Sequence, residues 1–365
     1  MITAIEKLKE FLPLEKGQYL IKKQGNQSLR IIQEGECLTD FYFSCPIFNK
    51  NGELIDLSFK PWGKGYIFRG YNVAVFVQEN GALIFQQDKY AFRVEFIELR
   101  FLGINDNRLV YDNCIIEATF NGVLVKKVNG NCIIKIEFDT GIQIDEKEGT
   151  ILLSVDYMNT IAMAIGLIDE RKNDIQECEL KIQKYSTQDV YIMAGIKESK
   201  SVMFEISAYC KKLISDTVIS QSNPTISSPY AGTALTYSEE KFEKRLLFRP
   251  SNELYNVLKG ADSQSTYLYL PLLKNGRYVI NKLLNRWCSF RSSWIDSPQY
   301  QDRNIQSKEE GNFIKVDLTS EYKKDVINGY GFVLRGNERL NPIMVSTGDS
   351  LYFPYIIEIN KRGDQ

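Results

Sequence analysis

The sequence predicts a mainly β protein: two or three antiparallel β-sandwich domains, a short N-terminal helix, and one further segment near 157–172 that reads as helix or strand. Two observations carry this expectation. Asn-Gly recurs at 51–52, 80–81, 121–122, 129–130, 275–276 and 328–329, and it tolerates the positive φ needed at both central positions of a type I′ turn. Between such turns lie runs like "CIIKIEF" and "FIKVDL", whose alternating or β-branched residues suit half-buried antiparallel strands. The stretch "YIFRGYNVAVFVQENGALIFQQ" (66–87) reads directly as strand, turn and strand.

Taken in order, the first element is a helix within 1–13. Thr3 and Glu6 have capping-box spacing, Ile5, Leu8 and Leu12 share a face, and Pro13 ends the run. From residue 14 the period becomes that of strands. A β domain is expected at 14–100 and another at 101–156, with a seam near 100–105 ("RFLGIND"), or else the two form one unit. The segment 157–212 connects them to the rest. Its start, "YMNTIAMAIGLIDERKND" (157–174), holds helix-forming Met, Ala and Leu and ends in charges; a buried strand is the competing reading, and periodicity alone does not separate the two.

A C-terminal β-sandwich is expected at 213–365. It opens on "SDTVISQSNPTISSPYAG" (215–232), a short β-like run followed by Ser, Asn, Pro and Gly with nothing apolar to bury. Such composition favours irregular backbone. Because Asp216–Ser220 before it and Ala234–Tyr237 after it read as strands, the stretch is expected to be a surface loop crossing the sandwich end, not a linker between domains.

Composition excludes several chemistries. The 365 residues contain no histidine, which removes Ser-His-Asp and Cys-His catalysis, His-ligated metals and imidazole bases. Lys plus Arg (45) nearly cancels Asp plus Glu (46), so no basic field attracts nucleic acid. No apolar run approaches the length that spans a bilayer, and "MITAIEKLKEFLPLEKG" lacks the apolar core and cleavage site of a secretory signal. The seven cysteines (37, 45, 114, 132, 178, 210 and 288) are scattered, odd in number and never in a C-x-x-C pair. They are expected to be free, mostly buried small hydrophobes of a protein folded in a reducing cytoplasm.

The remaining candidates for chemistry are sparse. "KPWGKGY" (60–66) has no Ser or Thr after Gly-Lys and no following helix signal, so it is not a phosphate loop. "DTGIQIDEKEG" (139–149) misses the spacing of a calcium loop. Asp139, Asp145, Glu146, Glu148 and the 168–174 cluster read as solvated charge and not as a glycosidase pair. No catalytic residue, metal or cofactor is therefore expected. Aromatics are plentiful, with 21 Tyr, 20 Phe and 3 Trp, and an exposed Tyr or Trp can stack on a sugar while donating a hydrogen bond. Trp287 and Trp294 are expected in the core. Tyr230 and Tyr300, in polar loops beside proline, are the candidate ligand-binding residues.

The order of features from Leu213 onward resembles a known family. Asp216, Thr217, Val218 and Ile219 are followed by Asn223, Pro224, Tyr230 and Gly232; then come Arg245, Leu246, Leu247 and Phe248. Trp287 and Trp294 flank a connection, with Pro298 beyond it. Val316, Asp317, Leu318 and Thr319 precede a closing run of Tyr330, Gly331, Phe332, Val333, Leu334 and Arg335. Together these resemble the DNRLRE-type β-sandwich domains, modules of bacterial surface proteins, polysaccharide-active enzymes and some phage particles. The resemblance covers about 213–360 and departs from the family at "CSFRSS", between the tryptophans, where an acidic pattern is usual. Asp106-Asn107-Arg108-Leu109 echoes the family's name but lies outside the matching segment.

The resemblance implies a β-sandwich that faces a surface. Joined to the missing export signal and the unpaired cysteines, it leads to the expectation of a structural bacteriophage virion protein, a tail or head fibre or adhesin, folded in the host cytoplasm. Its N-terminal β domains would attach to other virion proteins and its C-terminal sandwich would bind a host cell-surface polysaccharide. A homo-oligomer is expected, with no nucleic-acid or membrane partner. A carbohydrate-binding surface or accessory protein of a bacterial cell is the alternative, and a polysaccharide lyase or glycosidase a third reading.

Overall fold

In the computed structural model the chain divides into two compact units, Met1–Glu10 with Pro46–Cys210, and Phe11–Cys45 with Lys211–Gln365. The structure describes residues 12, 19–33, 38–127, 130–138, 141–147, 150–155, 160–168, 178–196, 202–208, 213–222, 224–225, 227–228, 233–236, 243–260, 263–289, 291–319, 330–337, 341–346 and 355–361. Apart from Leu12, the helix expected at 1–13 lies outside them. The fold is mainly β, with several antiparallel sheets and one short helix among these residues.

The Pro46–Cys210 unit holds two eight-stranded antiparallel sheets. One runs in the order Cys178–Tyr185, Asp189–Ile196, Cys132–Phe138, Tyr90–Phe96, Leu83–Gln87, Ala74–Val77, Gly65–Arg69, Lys60–Trp62. The other runs Gln143–Lys147, Thr150–Val155, Thr160–Ile168, Val202–Ala208, Gly122–Lys127, Cys114–Thr119, Arg108–Tyr111, Phe101–Asn105. In Cys132–Phe138, Cys132, Ile134, Ile136 and Phe138 are buried and the residues between them are not, the alternation of a strand with one covered face.

Turn chemistry accounts for the hairpins. Asn80-Gly81 lies in the link between Ala74–Val77 and Leu83–Gln87, with Gly81 at φ 87°. Asp106 and Asn107 have φ of 48° and 61° and join Arg108–Tyr111 to Phe101–Asn105 as a two-residue turn of the type I′ kind. The run near 100–105 is therefore an edge strand and not a seam, and 46–210 forms one unit. Asn129-Gly130 and Asn275-Gly276 do not close hairpins, because the strands flanking each belong to different sheets.

The segment with the helix-or-strand ambiguity is a strand. Thr160–Ile168 pairs with both Thr150–Val155 and Val202–Ala208. Ile165, β-branched and buried, suits that pleated position better than a helix. The helix is instead Asn252–Gly260. Ser251 Oγ accepts the Leu254 N–H at 3.3 Å as its N-cap, and Leu254 and Leu258, one turn apart, are buried.

The second unit is a sandwich of a nine-stranded and a six-stranded sheet. The larger runs Tyr19–Gly25, Ser28–Gln33, Leu38–Phe43, Ile356–Lys361, Ser263–Lys274, Phe313–Asp317, Ser307–Glu310, with Thr233–Thr236 and Ile343–Ser346 joined to it. The smaller runs Ser227–Ser228, Ile214–Ser220, Lys244–Pro250, Phe332–Gly336, Tyr278–Leu283, Tyr300–Asn304. Its core draws on both sheets, with Leu246, Phe248, Ile280 and Leu334 from one and Leu268, Ile314, Val345 and Ile357 from the other.

Strands before residue 46 thus complete the C-terminal sandwich, so the chain divides after 45 and after 210, and neither 100 nor 156 is a boundary. Asp40, nearly fully buried, pairs with Arg30 at 2.6 Å and with Lys361 at 2.7 Å, and Thr39 Oγ1 donates to Asn360 Oδ1 at 2.8 Å. Burial acts to raise the Asp40 pKa, but the hydrogen bonds from Arg30 and Lys361 outweigh it and hold the carboxyl below its ordinary value. The polar stretch after Ser220 leaves the six-stranded sheet, folds back at Ser227–Ser228 onto Val218 and Ile219, and re-enters the other sheet at Thr233–Thr236. Gly331 sits at φ 81°, and a Cβ there would lie 2.1 Å from the Phe248 carbonyl oxygen, so only glycine fits.

Candidate binding site

Three strands that carry the family resemblance, Ile214–Ser220, Lys244–Pro250 and Phe332–Gly336, lie side by side in the six-stranded sheet, and a fourth, Phe313–Asp317, lies in the nine-stranded sheet. Alternation along them turns Leu246, Phe248, Phe332 and Leu334 into the main core. The opposite face carries a second cluster of Ile219, Leu247, Leu283, Trp287 and Val333, with Trp294, Tyr300 and Tyr330 packed against it. Residues 284–289 and 291–299 lie along this face. Leu284 N–H donates to the Gln299 carbonyl at 2.8 Å, and Ile295 N–H to the Pro224 carbonyl at 3.1 Å, which joins the crossing segment to the polar loop.

Arginines knit the aromatics together. The Arg245 guanidinium lies 4.3 Å from the Trp294 ring centroid and 5.3 Å from that of Tyr300, and it donates two hydrogen bonds to Glu243, at 2.6 and 2.8 Å. Arg335 lies 4.4 Å from the Tyr300 centroid and donates to Tyr300 Oη at 2.8 Å and to Asn281 Oδ1 at 3.1 Å. Arg249 lies 5.2 Å from the Trp287 ring, whose indole N–H donates to the Tyr330 carbonyl at 2.6 Å. Cation–π contact and paired hydrogen bonds together make this a rigid layer.

Of the two candidate ligand-binding residues, Tyr300 therefore belongs to this layer, half-buried on the edge strand Tyr300–Asn304, while Tyr230 lies outside the described residues. With its oxygen accepting from Arg335, the Tyr300 hydroxyl keeps its own hydrogen to donate. Trp287 is buried as expected and Trp294 is half-buried. The crossing segment also lifts Ile295 and Leu284 into solvent, at 68% and 43% exposure.

No family model matches the chain, and no curated protein sequence matches it. Among solved structures, it is similar to the N-terminal domain of the Streptococcus gordonii adhesin Sgo0707 at 8% identity, with 94% of each chain covered and a TM-score of 0.18. A likeness that slight assigns neither fold nor role.

The other candidates are dispersed. Asp145 and Glu146 are exposed on Gln143–Lys147, and Glu146 accepts the Ile182 N–H at 3.1 Å; Asp139, Glu148 and 169–174 lie outside the described residues. Among the described residues no group of three or more Cys, Asp or Glu side chains could hold a metal ion, and no helix is long and apolar enough to cross a membrane. Cys45, Cys114 and Cys132 are buried and Cys288 is exposed, and none of these four is in a disulfide. Burial pushes the Cys114 thiol up and that of Cys132 to about 12, which keeps both protonated and inert.

Sequence reasoning passed over Trp62, which is 55% exposed at the end of "KPWGKGY". That stretch is a hairpin, with Lys60–Trp62 pairing Gly65–Arg69 across Gly63-Lys64. The signal was present in the sequence: a tryptophan between two lysines, beside two glycines. A shallow depression of about 490 Å3 in the same unit is lined by Glu79, Asn80, Glu98, Leu99, Arg100 and Phe101.

Proposed function

We propose that the chain is a structural protein of a bacteriophage virion, a tail or head fibre or adhesin. The Pro46–Cys210 unit attaches to other virion proteins, and the sandwich of Phe11–Cys45 with Lys211–Gln365 faces a host-surface polysaccharide. The reading rests above all on the outer layer of the six-stranded sheet. Its aromatic and arginine side chains are held in fixed positions by paired hydrogen bonds, and its covering segment raises Ile295 and Leu284 above them. A preorganised face with an apolar rim suits adhesion to a surface. Its carboxylate Glu243 is engaged by Arg245 and the chain contains no imidazole, which supports binding over catalysis at this face. Binding of each copy is weak, and a homo-oligomer multiplies it by avidity.

Immunogold electron microscopy of purified particles tests this. Label on a tail or head fibre is expected; a chain absent from particles but present on the host cell would favour the bacterial accessory protein. Purified protein is expected to leave host polysaccharide at full length, and shortening of that polymer would overturn the non-catalytic reading.

A further inference from the structure

The outward face of the sheet that ends in Lys60–Trp62 changes character along its width. Ile67, Phe76, Ile84, Arg93 and Glu137 are cross-strand neighbours in register on five successive strands. One end of the face is charged and neutralised from within. Arg93 pairs with Glu95 and, at 2.9 Å, with Glu137; Lys135 pairs with Glu137 at 2.5 Å and with Asp189 at 3.8 Å.

The other end is open. The Trp62 ring meets Phe76 edge-on, with centroids 6.4 Å apart, and the Arg69 guanidinium lies 5.7 Å from the Trp62 centroid. Lys60 is paired with Asp56 at 2.6 Å. Among the described residues, exposed Arg69 and Lys64 have no carboxylate partner.

An exposed indole beside an unneutralised guanidinium calls for a ligand that joins a flat apolar ring face to an anion. We propose that Trp62 and Arg69 form a binding subsite for an acidic sugar, a uronic acid unit of a polysaccharide. The C–H face of the pyranose stacks on the indole, its carboxylate pairs with Arg69 in the planar geometry that guanidinium favours, and Lys64 adds charge at the rim. The inference extends the glycan-binding part of the proposed function to the other unit and does not depend on the virion location.

Titration of the full chain with trigalacturonic acid at low salt, followed by calorimetry and tryptophan fluorescence, tests it. Binding in the range of about 1 mM is expected, about tenfold tighter than for neutral cellotriose, and weakening as salt is added. Trp62→Ala should abolish the binding, Trp62→Phe should retain part of it, and Arg69→Gln should bring trigalacturonate down to the cellotriose level. Both side chains are exposed, so melting temperatures should stay unchanged and loss of binding cannot be read as unfolding. The proposal fails if trigalacturonate does not bind at about 10 mM, if Trp62→Ala binds normally, or if inorganic sulfate competes as well as the sugar acid, which would leave a bare cationic patch. Particle labelling is independent of this titration, so either reading can fail without the other.

Discussion

Trp62 and Trp294 each lie beside an arginine, and the two neighbourhoods use it in opposite ways. Next to Trp294, Arg245 delivers two hydrogen bonds to Glu243, and both side chains of that pair are only about an eighth exposed, 13% and 14%. Next to Trp62, Arg69 is exposed and meets no carboxylate among the described residues. An aromatic–arginine contact therefore does not mark a binding site by itself. What decides is whether the cation is already satisfied: a paired, half-buried guanidinium fixes the face and leaves contact to its apolar rim, whereas an exposed unpaired one costs the fold little and is itself open to a ligand.

Substitutions on the two faces should separate them by energy. The largest loss is expected for Trp287→Ala, which removes a ring packed with Ile219, Leu247 and Val333 and should cost about 3–5 kcal/mol in denaturant unfolding. A cost below about 1 kcal/mol would mean the layer is not packed as core and would erase the contrast. Glu243→Gln should come next at about 1–3 kcal/mol, because Arg245 then loses its charge-assisted pair. Tyr300→Phe should cost about 1 kcal/mol through the lost acceptor for Arg335, with the ring contacts kept.

Smaller effects belong to the Trp62 face. Hydrogen bonds from Lys135 and Arg93 hold the Glu137 carboxyl below its ordinary value. Its folded pKa is depressed, so its contribution is present above the unfolded value of about 4 and disappears as pH falls through the folded value. Solvent screening at this exposed network keeps that contribution within about 1 kcal/mol, and Glu137→Gln should flatten the acid limb of a stability–pH curve by no more. Trp62→Ala should be smallest, within about 0.5 kcal/mol. A large loss there would make Trp62 a packing residue and end the comparison.

Local signals in the sequence read through to the fold unevenly. Gly81 needs a positive φ and its hairpin was legible from Asn-Gly, and "CIIKIEF" shows the expected alternation. Asn129-Gly130 and Asn275-Gly276 carry the same sequence signal, yet that signal does not state which sheet the next strand will join. The strand Thr160–Ile168 was ambiguous because its burial depends on neighbours that periodicity does not name. Ser251, Leu254, Leu258 and Gly260 spell a capped helix too short to stand out between strands. Leu38–Phe43 and Ile356–Lys361 each read as strands, but nothing local declares a pairing between them. For the binding site, the aromatics are legible in the sequence and the partners of their arginines are not: polar surroundings point to Tyr300, and only the positions of Arg335 and Arg245 show it to be held.

The placement of Ile356–Lys361 between Leu38–Phe43 and Ser263–Lys274 sets an order on how the molecule is made. Thr39 leaves the ribosome 321 residues before its partner Asn360, a wait on the order of tens of seconds at ordinary elongation rates. During that time Leu38–Phe43 presents an unpaired edge, the kind that recruits other nascent chains. Pro46–Cys210 is contiguous and can be complete long before. The sandwich of Phe11–Cys45 with Lys211–Gln365 closes only on translation of Ile356–Lys361, so chaperone protection of the early strands, more than intrinsic stability, should govern how much of this protein is recovered folded from cells.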